Sequence, residues 1–283
     1  MVELFANVNN VKICYEIHGQ GFPLVLLHGF AMYKEFWIAQ VKPLSKNFKV
    51  ITIDNRGCGN SEHPTEPYNM EILADDLKVL LEHLNIEEVH IAGHSLGGMY
   101  AQHFALKYPK NLNKLLLLAT FPNLPLDKSG LEMYKKSQLK SYEEKLVDPE
   151  KAFYNKMKQR FSRGFYKEMV ENPKKRFHDL FTTEELMNNE KTKGTSKPLD
   201  ILNQIKTIVR HDTRNQLHEI KHDTLILAGE KDRIVSKIAS EEMNKLIPNS
   251  NLEIFNGGHY FPLENAPAVN NTVNDFLLRK QKI

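Results

Sequence analysis

The sequence predicts an α/β protein built on a doubly wound, mostly parallel sheet that carries an inserted helical region. Three features point there. Short, nearly continuous apolar runs recur along the chain, as strands buried on both faces require. Amphipathic helical patterns alternate with them, which implies right-handed crossovers. Between residues 121 and about 213 the strands drop out while helical patterning continues.

Taken in order, "VELFANV" and "VKICYEIHG" alternate apolar and polar residues on either side of a turn-prone Asn-Asn, a hairpin that opens the sheet with antiparallel strands. Cys14 falls in the second of these and is expected as a packed strand thiol. "PLVLLHG", "FKVITIDNRG", "VHIAGHS" and "LNKLLLLAT" then read as buried parallel strands. Between the second and third of them, residues 69 to 84 place Ile72, Leu73, Leu77, Leu80, Leu81 and Leu84 on one stripe, with Asn69 available as a helix cap. Past Phe121, "YKKSQLKSYEEKLVDPEKAFYNKMKQRF" and "PLDILNQIKTIVRH" suggest helices with no strand between them. The strand-helix rhythm returns with "DTLILAG", a helix around residues 236 to 247, "NLEIFNG" and a C-terminal helix from Pro267. The expected organisation is a core of residues 1–120 and 214–283 interrupted by an insertion over 121–213, with no internal repeat.

Composition narrows the function classes. The 283 residues are enough for a substantial core, and 41% hydrophobic with 26% charged residues describes an ordinary soluble globular protein. With 38 basic against 35 acidic residues the net charge is +3, too mild an excess to point to nucleic acid. The many lysines between residues 128 and 221 are expected to be solvated helix faces. Cys14 and Cys58 are the only cysteines, too few for a disulfide framework and without metal-ligand spacing, so neither a metal nor a cofactor is expected. The opening stretch has no basic segment leading into an apolar one, and no apolar run approaches the roughly 18 residues of a membrane span. The expectation is a cytoplasmic protein with no membrane insertion.

The chemistry concentrates at predicted strand ends, where open α/β sheets collect their sites. In "VHIAGHSLGGMYAQHF" an apolar run stops at a glycine-rich turn, and an amphipathic pattern follows. The turn fits neither G-x-G-x-x-G nor a P-loop, and no lysine follows to meet a phosphate. It fits G-x-S-x-G, the strand-turn-helix elbow that thrusts a serine hydroxyl out of the backbone, with Ser95 at its centre. His259 follows "NLEIFNG", and two carboxylates, Glu230 and Asp232, follow "TLILAG"; periodicity leaves the choice between them open. Singly, each residue has a plain structural reading as a helix cap, a turn residue or one of twelve histidines. Jointly, the chain order serine, acid, histidine describes nucleophilic catalysis: His259 takes the Ser95 proton, and Asp232 holds the imidazole in its productive tautomer. The backbone N–H groups of Leu96 and of Phe30 in "LLHGF" are candidates for the oxyanion hole.

On "HGF" (28–30), "DNRGCGNS" (54–61), "GHSLGG" (93–98), "GEKD" (229–232) and "GGHYFPLENAP" (257–267), the chain resembles the α/β-hydrolases. The family spacing G-x-x-D then runs from Gly229 to Asp232 and leaves Glu230 as a loop residue. The resemblance implies that residues 121–213 form a helical cap over the site. It also implies that Asp54, Arg56 and Cys58 are scaffold and that His28 and His94 brace loops. Phe36, Trp37 and Phe121 are left between lining an acyl pocket and packing as core.

A serine at the elbow argues against the relatives that use an aspartate there and leaves an acyl-enzyme mechanism. A carboxylic-ester hydrolase of the carboxylesterase type is the leading expectation, acting on a small-molecule ester. A lactone is the variant, because "HDTRNQLHEIKHDTLILAGEKD" resembles the region before the acid in enol-lactonase-like members. A carbon–carbon bond hydrolase is the runner-up, although its relatives often carry Asn where this chain has His94. Cofactor-free haloperoxidases share the same triad. A small-molecule receptor on the same fold is the non-enzymatic alternative, which a complete triad disfavours.

Overall fold

A computed structural model describes residues 2–124, 126–193 and 196–279. Its sheet contains β1 (Leu4–Val8), β2 (Val11–His18), β3 (Phe22–Leu27), β4 (Phe48–Ile53), β5 (Val89–His94), β6 (Leu112–Leu118), β7 (Thr224–Gly229) and β8 (Ser250–Phe255). They lie in the order β1-β2-β4-β3-β5-β6-β7-β8. β2 is antiparallel to both its neighbours, and every other pairing from β4 to β8 is parallel. The chain winds from β3 outward to β4, then crosses back to β5 on the far side of β3. That reversal opens a crevice beyond the carboxyl ends of β3 and β5, which in such sheets is where ligands bind.

Side-chain alternation divides the interior into two layers. Val25, Leu27, Ile91, Leu115 and Leu117 face one layer; Leu24, Leu26, Ala92, Leu116 and Leu118 face the other. The first is closed by α2 (Met70–His83), α3 (Leu96–Lys107) and a late helix over Lys237–Leu246, and the second by α1 (Ile38–Leu44) and a C-terminal helix over Ala266–Leu278. In α2 the expected stripe is buried at Leu73, Leu77, Leu80 and Leu81 and half-buried at Ile72 and Leu84, and Asn69 Oδ1 accepts the Ile72 N–H at 2.9 Å. β5 and β7 are buried throughout, whereas β8 at the edge is half exposed, which is why "NLEIF" can carry a glutamate. Lys114 is buried in β6. Its ammonium donates to the carbonyls of Phe276 and Leu277 at 3.0 and 3.3 Å, supplying donors that the end of the last helix lacks.

The segment between β6 and β7 holds α4 (Lys128–Val147), α5 (Pro149–Arg160), α6 (Arg163–Glu171), α7 (Thr183–Thr192) and α8 (Pro198–Val209). Pro149 cannot continue α4, and it opens α5 with Asp148 as N-cap, so "YEEKLVDPEKAF" divides into two helices. The two ends of the insert are stitched together at the sheet: Thr213 N–H donates to Pro122 O at 2.8 Å, and His211 Nε2 lies 3.0 Å from Phe121 O. Beyond β7 come α9 (Lys237–Leu246), α10 (Phe261–Glu264) and α11 (Ala266–Leu278). No helix among the described residues is long and apolar enough to cross a membrane.

Candidate active site

Ser95 joins β5 to α3 with φ 55° and ψ −118°, a backbone state that costs a non-glycine residue about 1–3 kcal/mol and needs external support. Four hydrogen bonds supply it. Ser95 N–H donates to Leu118 O at 2.9 Å, and Ser95 O accepts from Thr120 Oγ1 at 2.8 Å, Gly98 N–H at 2.9 Å and Met99 N–H at 3.2 Å. The flanking glycines are steric necessities: a Cβ on Gly93 would sit 2.2 Å from Gly97 O, and one on Gly97 would sit 2.2 Å from Leu27 O. The sharp turn thus lets α3 start against β3 and leaves the Ser95 side chain part exposed at the head of the helix.

Asp232 and His259 meet beyond the ends of β7 and β8. His259 Nδ1 lies 2.7 Å from Asp232 Oδ2, and since an ionised carboxylate can only accept, Nδ1 carries a proton, the tautomer that turns the Nε2 lone pair of a neutral imidazole away from the acid. Oδ1 of Asp232 accepts the N–H groups of Ile234 and Val235 at 2.8 and 3.0 Å. Burial opposes the charge on Asp232, but His259 and these two donors outweigh it and hold the carboxyl below its ordinary value. The Asp232 side chain is 0% exposed. Glu230, the competing carboxylate, is 48% exposed and pairs with Lys237 at 2.7 Å. The imidazole of His259 packs on that of His94, the residue before Ser95, with ring centroids 4.7 Å apart. The elbow, the imidazole and the acid therefore share one site.

The loop after β3 runs beside the elbow, where a Cβ on Gly29 would lie 3.2 Å from Ser95 Cβ. Among the described residues neither Phe30 N–H nor Leu96 N–H has a protein acceptor, as donors kept for a ligand oxygen would not. The next residue, Ala31, has φ 49°, and its N–H donates to Gln204 Oε1 of α8 at 2.8 Å. His28 and His94 are both buried and bonded to backbone. His28 Nε2 accepts from Asn55 N–H at 3.1 Å, and His94 Nε2 donates to His259 O at 2.9 Å. Burial pushes the His28 imidazole down to about 4 and that of His94 well below its usual value, so both stay neutral near pH 7.

Three further residues, to which the sequence reading gives no role, tie the site's loops to the insert. Glu264 Oε2 accepts Gly258 N–H at 3.0 Å and Ser162 N–H at 3.1 Å, while its other oxygen accepts the Ser162 hydroxyl. Arg233 donates to Lys158 O and Phe161 O at the end of α5. Gln204 holds Ala31. A cavity of about 550 Å3 lies between the Phe30–Ala31 loop, Arg233 and helices α4, α5, α7 and α8. Two of the lysines expected as solvated helix faces turn inward on its wall: Lys145 and Lys156 meet Glu190 at 3.5 and 2.9 Å.

Residues 23–266 match the alpha/beta hydrolase fold family. The chain belongs to that family. It is 29% identical over 276 residues to a putative non-heme chloroperoxidase of Synechocystis sp., covering 96% of each chain. It is 26% identical to a putative carbamate hydrolase of Azorhizobium caulinodans, covering 91% of each. The solved enol-lactonase of Burkholderia xenovorans superposes with a TM-score of 0.81 at 22% identity, covering 98% of this chain and all of that one, a likeness of fold.

In this α/β-hydrolase the "DNRGCGNS" loop is held by bonds within itself and to its neighbours. Asp54 accepts the N–H groups of Lys34 and Asn60 at 2.7 and 2.9 Å, Arg56 pairs with Asp76 at 2.7 Å, and the buried Cys58 thiol is pushed up by burial. Phe36 and Trp37 are core, 2% and 1% exposed, with Phe36 packed against His94 and Tyr260. Phe121 is also buried in the core, and its carbonyl serves the insert's exit stem.

Proposed function

We propose that the protein is a serine hydrolase that cleaves carboxylic esters, lactones among them, through an acyl-enzyme on Ser95. The observation that carries this reading is the 2.7 Å contact between His259 and a fully sealed Asp232, set beside a serine at φ 55° on the elbow of an α/β-hydrolase. In the first half-reaction Ser95 Oγ attacks the ester carbonyl carbon while its proton passes to His259 Nε2. The oxyanion is held by the N–H groups of Phe30 and Leu96. Collapse of the tetrahedral intermediate breaks the C–O bond, and His259 returns the proton to the departing alkoxide, giving the alcohol and the acyl-enzyme. Water then repeats the sequence: His259 takes its proton, hydroxide adds to the acyl carbon, and Ser95 leaves with the proton restored, releasing the acid. Asp232 stays ionised throughout and stabilises the imidazolium that forms twice per turnover. Residues 121–213 act as a cap, whose α4, α5, α7 and α8 shape the space into which the substrate extends.

The test is turnover of a short-chain aryl ester. Ser95→Ala is expected to lower kcat by on the order of 10³-fold or more while circular dichroism stays unchanged. A fluorophosphonate should label Ser95, located by peptide mass spectrometry. Activity surviving in Ser95→Ala, or a label on another residue, overturns the mechanism.

A further inference from the structure

The cavity beside the Phe30–Ala31 loop is built for charge. Among the described side chains on its walls six are basic and two are acidic. One of the acids, Glu144, is already faced by Lys140 at 3.9 Å on the open rim. The other, Glu190, is only 12% exposed and is shared by Lys145, Lys156 and the Tyr33 hydroxyl, the last at 3.3 Å. One carboxylate thus answers two ammonium groups. Burial works against the Lys156 charge, yet Glu190 holds its ammonium above the ordinary lysine value, so the cation persists at any working pH.

Arg160, at the end of α5, adds a third cation and connects this cluster to the site. Its guanidinium lies 5.8 Å from the centre of the Tyr260 ring, and its carbonyl accepts the Tyr260 N–H at 3.0 Å, one residue past His259. Among the described residues Arg160 has no acidic partner. With Glu190 engaged by the two lysines, the Arg160 charge remains unanswered among the described residues in a half-enclosed space, where desolvation makes an unanswered cation expensive. The rest of the wall includes Phe30, Phe153 and Ile201, suited to a hydrocarbon spacer. A planar guanidinium fork matches a carboxylate, and the Lys156 ammonium on the wall of the same cavity adds to the attraction.

We propose that this cavity is a subsite for an anionic arm, so that the preferred substrates carry a carboxylate remote from the scissile bond, as half-esters of aliphatic dicarboxylic acids do. The proposal rests on the serine-hydrolase reading for the chemistry at Ser95, but the anion site itself does not depend on turnover. An ester whose carbonyl oxygen sits at Phe30 N–H has the cavity open to one side of that same loop, and its carboxylate then answers the charge on Arg160 beside the Lys156–Glu190 pair.

The test compares two esters of one length, mono-4-nitrophenyl adipate and its methyl-capped counterpart, on the wild-type protein. The free acid is expected to show about tenfold higher kcat/KM, mainly through KM, with the advantage shrinking as salt is added, as an ion pair reached by charge-assisted hydrogen bonds requires. Lys156→Gln and Arg160→Gln should each reduce the ratio of the two kcat/KM values several-fold, a ratio that cancels any effect common to both esters. Lys156→Gln strips a partner from buried Glu190; if it does not fold, Arg160→Gln, whose side chain faces the Tyr260 ring, carries the comparison. A wild-type ratio of one or less overturns the subsite and leaves the hydrolase reading standing. If neither ester is hydrolysed, calorimetry with adipate against monomethyl adipate separates the two ideas: tighter dianion binding that Arg160→Gln abolishes supports the subsite while the hydrolase reading falls, and no difference between the two ligands overturns the subsite as well.

Discussion

Acidification should unfold this protein well before its carboxylates protonate, because four histidines are stored neutral in its interior. His28, His90, His94 and His211 are 0%, 4%, 1% and 2% exposed. Burial pushes His28 and His211 down to about 4, His90 to about 3, and His94 well below the ordinary 6.5. The sign follows from proton counting: between the folded and unfolded values the unfolded chain binds protons that the folded chain refuses, so stability is complete above 6.5 and is lost as pH falls toward the folded values. Each such group costs about 1.4 kcal/mol per pH unit once well below 6.5, hence about 2 kcal/mol at pH ~5 and about 8 kcal/mol for the four together. Against a typical total of about 5–15 kcal/mol, that places the acid midpoint near pH ~5. Trp37, the single tryptophan and 1% exposed, reports the transition by fluorescence, and urea unfolding at about pH 7 and pH 5.5 should differ by about 5 kcal/mol. His90, whose ring packs on Phe22 and Phe48 and whose Nδ1 has no partner among the described residues, gives the control: His90→Leu should flatten the pH slope by about a quarter. Equal urea stabilities at the two pH values would refute the buried-neutral account.

Two other substitutions probe the site. Asp232→Asn removes the charge that stabilises the imidazolium and should cut kcat by roughly 10³ to 10⁴ with normal folding, whereas Glu230→Gln, altering an exposed pair with Lys237, should lose far less; the reverse ranking in steady-state kinetics would reassign the acid. Gly97→Ala drives a Cβ against the Leu27 carbonyl, a backbone atom that cannot step aside, and should cost about 1–3 kcal/mol in urea unfolding together with much of the activity; a variant of wild-type stability would mean that the elbow has room that its geometry denies.

The sheet was legible because its physics is local. β5, β6 and β7 are buried on both faces and so are written as nearly continuous apolar runs, and Asn69 announces the start of α2 with its own side chain. The insert is harder to read. α4 buries none of its residues, so its twenty positions lack the stripe that would define an inner face, and α6 and α7 fall where the sequence pattern marked only a helical region. Lysine is the least informative residue there, since its long stem lets the same ammonium sit in water, as on Lys140, or on buried Glu190, as on Lys156. Ser95 and His259 could be singled out because each follows a recognisable strand, whereas Asp232 was separated from Glu230, beyond the same strand, only by the family spacing. Glu264 could not, although it lies inside "GGHYFPLENAP", because its partner Ser162 is 102 residues away and belongs to the insert.

Those distant ties alter what the insert can be doing. Each of the three loops that frame Ser95 is braced by hydrogen bonds to it: the Phe30 loop from Gln204, the acid loop through Arg233 to the end of α5, and the histidine loop through Glu264 to Ser162 and through Tyr260 N–H to Arg160 O. A cover that opened by rigid hinge motion would have to break all three, and a half-buried carboxylate such as Glu264 left without its donors is costly. Motion confined to α4, which buries nothing and packs on α5 and α8, breaks none of them. Access to the site is therefore better supplied by α4 than by the insert as a whole. Substitutions in the insert should accordingly separate by position: those facing the cavity change which ester is chosen, while those at Ser162 or Gln204 disturb the placement of His259 or Phe30 and slow every ester alike.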